Sequence, residues 1–189
     1  TFDGLLDVVR GFPAFVICFA ILMTFWNAHY RFHRRYGLED VVSRVLTMAV
    51  CVLVLFFVYP LKFLFTMLTV KMFGLAMQDP PTLAGRDQVV SLYLIYGLGF
   101  AGVWSLYAVL YGHALRKRRE LALDAAEVSS TKAATTENLI YVGVCALSIV
   151  LALVQPNLAL PGFVYFLLGP LQAFNGWWFG RRLKKLPTG

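Results

Sequence analysis

The chain has 189 residues, of which 59% are hydrophobic and only 14% charged, with a mean hydropathy of +0.69. Soluble domains carry about 25% charged residues, so the composition excludes an ordinary soluble fold and points to a polytopic α-helical membrane protein. The formal net charge of +7 would suit a nucleic-acid binder, but cytoplasmic flanks of membrane helices collect Lys and Arg for topological reasons, and no nucleic-acid partner is expected.

Residues 1–13 alternate apolar positions with Asp3, Asp7 and Arg10 and are predicted to form an amphipathic lead-in at the interface. Thr1 in place of Met, with no signal-peptide pattern behind it, leads us to expect one further helix upstream. Pro13 suits the first turn of a helix. The first span is predicted over about 14–33, because roughly 20 residues at 1.5 Å each cross a hydrocarbon core of about 30 Å. It ends in FWNAHYRF (25–32) and a basic cluster, Arg31, Arg34 and Arg35. Gly37 marks a turn, and Glu39 and Asp40 favour the start of the next helix.

The second span, 41–73, is too long for one perpendicular crossing. Pro60 predicts a kink or break, because proline lacks the amide hydrogen and clashes with the preceding turn. Pro80, Pro81 and Gly85 place a loop over 74–88. A third span, 89–115, carries Gly97, Gly99 and Gly102, small residues that let helices approach closely in lipid. A polar connector is expected over 116–137, opening with the basic run Arg116–Arg119. A fourth span is expected over 138–155, then a turn at Gln155–Asn157. A fifth span, 158–179, is expected to be interrupted at Gly169–Pro170 and to lead into a basic tail, 180–189. The whole is read as a single membrane domain of five transmembrane helices.

Threading five spans puts thirteen of the seventeen Lys and Arg on one side, including Arg31, Arg34, Arg35, the run 116–119 and the tail. The positive-inside rule makes that side, with the C-terminus, cytoplasmic.

No enzyme constellation is present. The three histidines lack zinc-protease spacing, no glycine-rich phosphate loop occurs, and Cys18, Cys51 and Cys145 stand alone in apolar runs, so neither metal nor cofactor is expected. What remains is polar chemistry at the end of the first span. Trp26 can donate through its indole, His29 can donate and accept, and Asn27 can do both twice. Trp26 and His29 are three apart and share a helix face. They read either as interfacial anchors or as a buried polar network to a neighbouring helix, since polar groups at that depth need partners. His33 and Arg34 read as the solvated end of the helix.

FWNAHYRF resembles the Trp-x-x-His pattern in the second helix of the transmembrane protein 175 family of potassium channels, found in bacteria and endolysosomes. Asp40 at the next helix start, FFVYPLKFL (56–64) and two closing helices with a Gln-Pro turn are similar too. The resemblance implies a six-helix fold, a homotetramer in bacterial members, potassium ions as the permeant partner, and a first helix that supplies an apolar gate and a Phe-Ser-Asp signature. It makes Trp26 and His29, with Asn27, supports of that pore helix rather than ion ligands. Where the family often has Asn in the following helix, this chain has Thr47. The leading expectation is a potassium-permeable monovalent cation channel subunit in the bacterial cell membrane. A non-conducting membrane scaffold or interaction protein is the alternative.

Overall fold

The protein is described here by a computed structural model covering residues 6, 8–74, 82–83, 85–155 and 159–183. Residues 1–5 and 7 of the lead-in, the Pro80–Pro81 loop, the Pro156–Asn157 turn and the tail beyond Leu183 lie outside the described residues. Within them the fold is all-helical: α1 (Phe12–Tyr36), α2 (Val41–Phe73), α3 (Arg86–Arg116), α4 (Ala125–Val154), a one-turn α5 (Leu160–Phe163), a 3-10 turn (Val164–Leu167) and α6 (Leu168–Leu183). Four of these, α1 to α4, are long and apolar enough to cross a membrane.

The caps follow local chemistry. Helix α1 runs through the basic cluster, and His33, Arg34 and Arg35 sit in its last turn, against the negative end of the helix dipole. Gly37, at φ +54°, then turns the chain and gives its amide to the His33 carbonyl at 2.9 Å. That left-handed conformation is the reason glycine stands there. Asp40 caps α2 by accepting the Ser43 amide at 3.2 Å.

Of the kink or break expected at Pro60 a break is excluded, because α2 is one helix of 33 residues; two further expectations are corrected. Phe57 and Leu61 on either side of Pro60 are fully buried, and the Tyr96 hydroxyl of α3 donates to the Pro60 carbonyl. Neighbouring helices are what make an internal proline tolerable in a membrane. The polar connector is shorter than 116–137. Asp124 and Glu127 form a reciprocal capping box, with bonds of 2.6 and 3.0 Å, which starts α4 at Ala125. The fifth span is interrupted, but not at the expected place. The interruption falls at Val164–Leu167, and Gly169–Pro170 lie in the first turn of α6, where a proline lacks no needed bond.

Helix α3 is the centre of the bundle. The largest core cluster joins Phe25, Ala28, Phe32 and Tyr36 of α1 to Val103, Tyr107, Leu110 and Tyr111 of α3. A second joins Cys18, Phe57, Leu61 and Tyr96. Gly99 shows why small residues matter here: a Cβ on it would lie 1.7 Å from the Phe57 ring. The α2–α3 contact therefore has no room for any side chain at that position. Helix α6 is tied along α4 by two side-chain amides. Gln172 Nε2 donates to the Glu137 carbonyl at 3.1 Å, and Asn175 Nδ2 to the Ala133 carbonyl at 3.2 Å.

Candidate functional site

Helix α1 presents two stripes at helical spacing. The inner one, Ala14, Cys18, Phe25, Ala28, Phe32 and Tyr36, is buried. The outer one, Phe12, Phe15, Phe19, Met23, Trp26 and Tyr30, is exposed along its length. Trp26 lies on the outer stripe with 56% of its surface open. Its ring stacks on Tyr30, centroids 5.4 Å apart and 11° from parallel. The Arg34 guanidinium continues the ladder, donating to the Tyr30 hydroxyl at 3.1 Å. Asn27 is exposed beside it and makes no hydrogen bond among the described residues.

His29 stands between the two stripes. Its ring lies 4.3 Å from that of His33, and its Nδ1 is buried without a hydrogen-bond partner among the described residues. A buried polar nitrogen left so is costly. His33 Nε2 lies 3.1 Å from Thr47 Oγ1 of α2. The expectation of a solvated His33 is thus corrected: it is half-buried and joins α1 to α2. Thr47 meets this second histidine rather than Trp26 or His29. Of the four site residues expected from the sequence, His29 and Thr47 are brought near each other through His33, whereas Trp26 and Asn27 face away from the bundle.

Below this, the basic end of the bundle is laced by polar contacts that sequence reasoning missed. Arg35 Nη1 donates to Ser130 Oγ at 2.7 Å. Tyr36 Oη and Thr131 Oγ1 lie 2.7 Å apart, and Thr131 passes its own hydrogen to the Glu127 carbonyl, which leaves the Tyr36 hydroxyl as the donor between them. The Asp124–Glu127 capping box was the legible signal that Ser130 and Thr131 belong to a helix. Asp40 Oδ2 lies 2.6 Å from His113 Nε2 and 3.6 Å from Lys117 Nζ, so the α1–α2 turn is pinned to the end of α3. Ser43 and, after it, His113 hold the Asp40 carboxyl well below the usual carboxylate range. The Glu120 carboxylate, with help from Asp40, raises the Lys117 ammonium. Higher up, the Tyr107 hydroxyl donates to the Phe25 carbonyl at 2.8 Å, in the turn just before Trp26.

No group of three His, Cys, Asp or Glu is placed to hold a metal ion among the described residues. At this end of α1 the geometry is that of a polar contact between two helices, His33 to Thr47. No known family model matches the chain. A potassium channel of Marivirga tractuosa is 31% identical over 186 residues, an alignment covering 93% of this chain and 75% of that protein. The chain belongs to the transmembrane protein 175 family of potassium channels. Its fold is similar to the crystal structure of the potassium channel MtTMEM175, solved as a threonine-to-alanine variant in complex with a nanobody–MBP fusion protein. The TM-score is 0.84 at 31% identity, over 98% of this chain and 83% of that one. These relatives are channels, not enzymes, and they place the chain among integral membrane proteins. Membership accounts for the all-helical architecture around FWNAHYRF. The particular duties of Trp26, Asn27, His29 and Thr47 rest on the local geometry.

Proposed function

We propose that the chain is a subunit of a potassium-permeable monovalent cation channel that assembles as a homotetramer in the bacterial cell membrane, with its C-terminus in the cytoplasm. Ions cross through an axial pore closed by an apolar constriction that conducts when wetted. The constriction belongs to a helix outside the described residues, seated against the Trp26–His29 face of α1. Trp26, Asn27 and His29 brace that helix, and Thr47 acts through His33 to fix the imidazole pair. The observation that carries this reading is the buried, unpartnered Nδ1 of His29 beside an exposed indole and an exposed amide. These are three polar groups that need hydrogen bonds at membrane depth, gathered within one turn of α1. Family membership supplies the potassium channel, and the excess of Lys and Arg on one side supplies the orientation.

The test is potassium flux into liposomes carrying the full-length protein. Flux above that of empty liposomes is expected, and its absence rejects the reading. In the same preparation His29→Ala is expected to lower the current or dissociate the oligomer. Unchanged assembly and conductance would return His29 to the role of an interfacial anchor.

A further inference from the structure

Between α1 and α4, over the face of α3, lies a crevice of about 240 Å³. Arg31 and Arg35 enter it from α1, one turn apart on the same helix face. Glu137 and Ser130 enter it from α4, and Trp104 and Tyr111 of α3 complete it. None of this is used by the pore brace, which lies on the other side of α1.

The charges in this crevice are not spent on each other. Among the described residues neither Arg31 nor Glu137 has an ion pair, whereas Lys117 pairs with Asp40 and Glu120. Both nevertheless lie within electrostatic reach of Tyr111 and Tyr141. Arg35 gives one of its five donors to Ser130, which fixes the guanidinium and leaves the others free. Two guanidinium forks one turn apart match the paired oxygens of a phosphate. A half-buried carboxylate on the opposite wall would repel a dianion, but it would hold an ammonium group. Trp104, stacked on Tyr141 with ring centroids 4.3 Å apart, adds an aromatic face that favours a cation.

We infer that the α1–α4 crevice binds a phosphodiester anion that carries a primary ammonium, the chemistry of a phosphoethanolamine group, with phosphate on Arg31 and Arg35 and ammonium on Glu137. The source is either a membrane lipid headgroup or a free glycerophosphoethanolamine. Basic pockets between membrane helices on the cytoplasmic side commonly receive lipid headgroups, and the basic end of this bundle is where such a group would lie.

The experiment uses the full-length protein, delipidated and offered phosphatidylethanolamine, phosphatidylglycerol or phosphatidylcholine, with retained lipid counted by native mass spectrometry. Phosphatidylethanolamine is expected to be retained several-fold over phosphatidylglycerol, which has no ammonium for Glu137, and over phosphatidylcholine, whose methylated nitrogen has no N–H to donate. Arg31→Ala should lower retention at least about five-fold, a loss of roughly 1 kcal/mol for a fork to phosphate, and Glu137→Gln should abolish the preference over phosphatidylglycerol. Arg31→Lys keeps the charge without the fork and should fall between, which protects the test should the alanine variant fail to fold. Arg44→Ala, exposed and outside the crevice, should change nothing. A second arm titrates soluble glycerophosphoethanolamine by calorimetry. Binding there with the same dependence on Arg31 and Glu137 assigns the site to a water-borne ligand, and retention of lipid alone assigns it to the bilayer. Absence of binding in both arms, retention indifferent to Arg31 and Glu137, or an equal loss in Arg44→Ala overturns the proposal.

Discussion

The two faces of α1 differ in what specifies them. The inner stripe ends on Phe32 and Tyr36. Phe32 is fully buried and meets Tyr36 at a tilt and Tyr111 edge-on, at centroid distances of 5.0 and 5.1 Å. The outer stripe carries equally large residues, Phe15, Phe19 and Trp26, yet each has about half its surface or more open. Composition is similar on both sides; partnership is not. In lipid an apolar side chain gains little by leaving the bilayer, so association relies on shape, small residues and hydrogen bonds. The inner face has these in Ala14, Ala28 and the Tyr107 bond to the Phe25 carbonyl. The outer face has aromatic breadth and, at Asn27, an amide without a hydrogen bond among the described residues, which fits the further helix proposed above.

The sharpest way to break this contrast is to truncate one large ring on each face. Phe32→Ala should clearly lower the thermal midpoint of the subunit in micelles, because the cavity forfeits the ring contacts with Tyr36 and Tyr111. Phe19→Ala should leave that midpoint nearly unchanged while weakening assembly of the full-length protein. Equal losses in subunit stability would abolish the distinction between the faces.

A smaller effect sharpens it. Tyr36→Phe keeps the ring on Tyr111 but deletes the hydroxyl that meets Thr131 of α4. Hydrogen bonds between membrane helices are worth on average about 0.6 kcal/mol and reach about 1.7, so a modest fall in the same midpoint is expected. A double variant with Thr131→Val should cost little more than either change alone. Full additivity would mean that the two hydroxyls act independently.

Much of this architecture was legible from residues alone. The turn at Gly37, the cap at Asp40 and the glycines of α3 each announce a local requirement that no neighbour can override. The start of α4 was missed because SSTKAATTE looks like a loop by polarity. Its hydroxyls instead serve the backbone and the α1 side chains, as when Thr135 donates to the Thr131 carbonyl at 2.9 Å. The orientation of FWNAHYRF was not readable for a different reason. Polar and aromatic residues fall on every side of the helix there, so the pattern names no inward face. Hydropathy therefore located Trp26 and His29 along the membrane normal without telling which way they point, and it could not distinguish His33, with its partner on α2, from a solvated helix end.

The smallest effect concerns the turn that joins α1 to α2. Asp40 holds the end of α3 through His113 and Lys117 while capping its own helix. Its carboxyl titrates below its ordinary value of 3.8, mainly because of Ser43 and then His113. A group whose folded value is depressed contributes stability that is complete above the unfolded value and disappears as pH falls through the folded one. The contribution of Asp40 should therefore be constant from about pH 7 to about 5 and decline only below about 4. Thermal midpoints of the wild-type protein and of Asp40→Asn, followed by circular dichroism, check this. Their difference should be widest at neutral pH and narrow under acid, as the wild-type carboxyl becomes neutral like the amide. A gap that stays constant down to about pH 2, below the ordinary carboxylate range, would mean that shape at position 40, rather than charge, fixes the turn against α3.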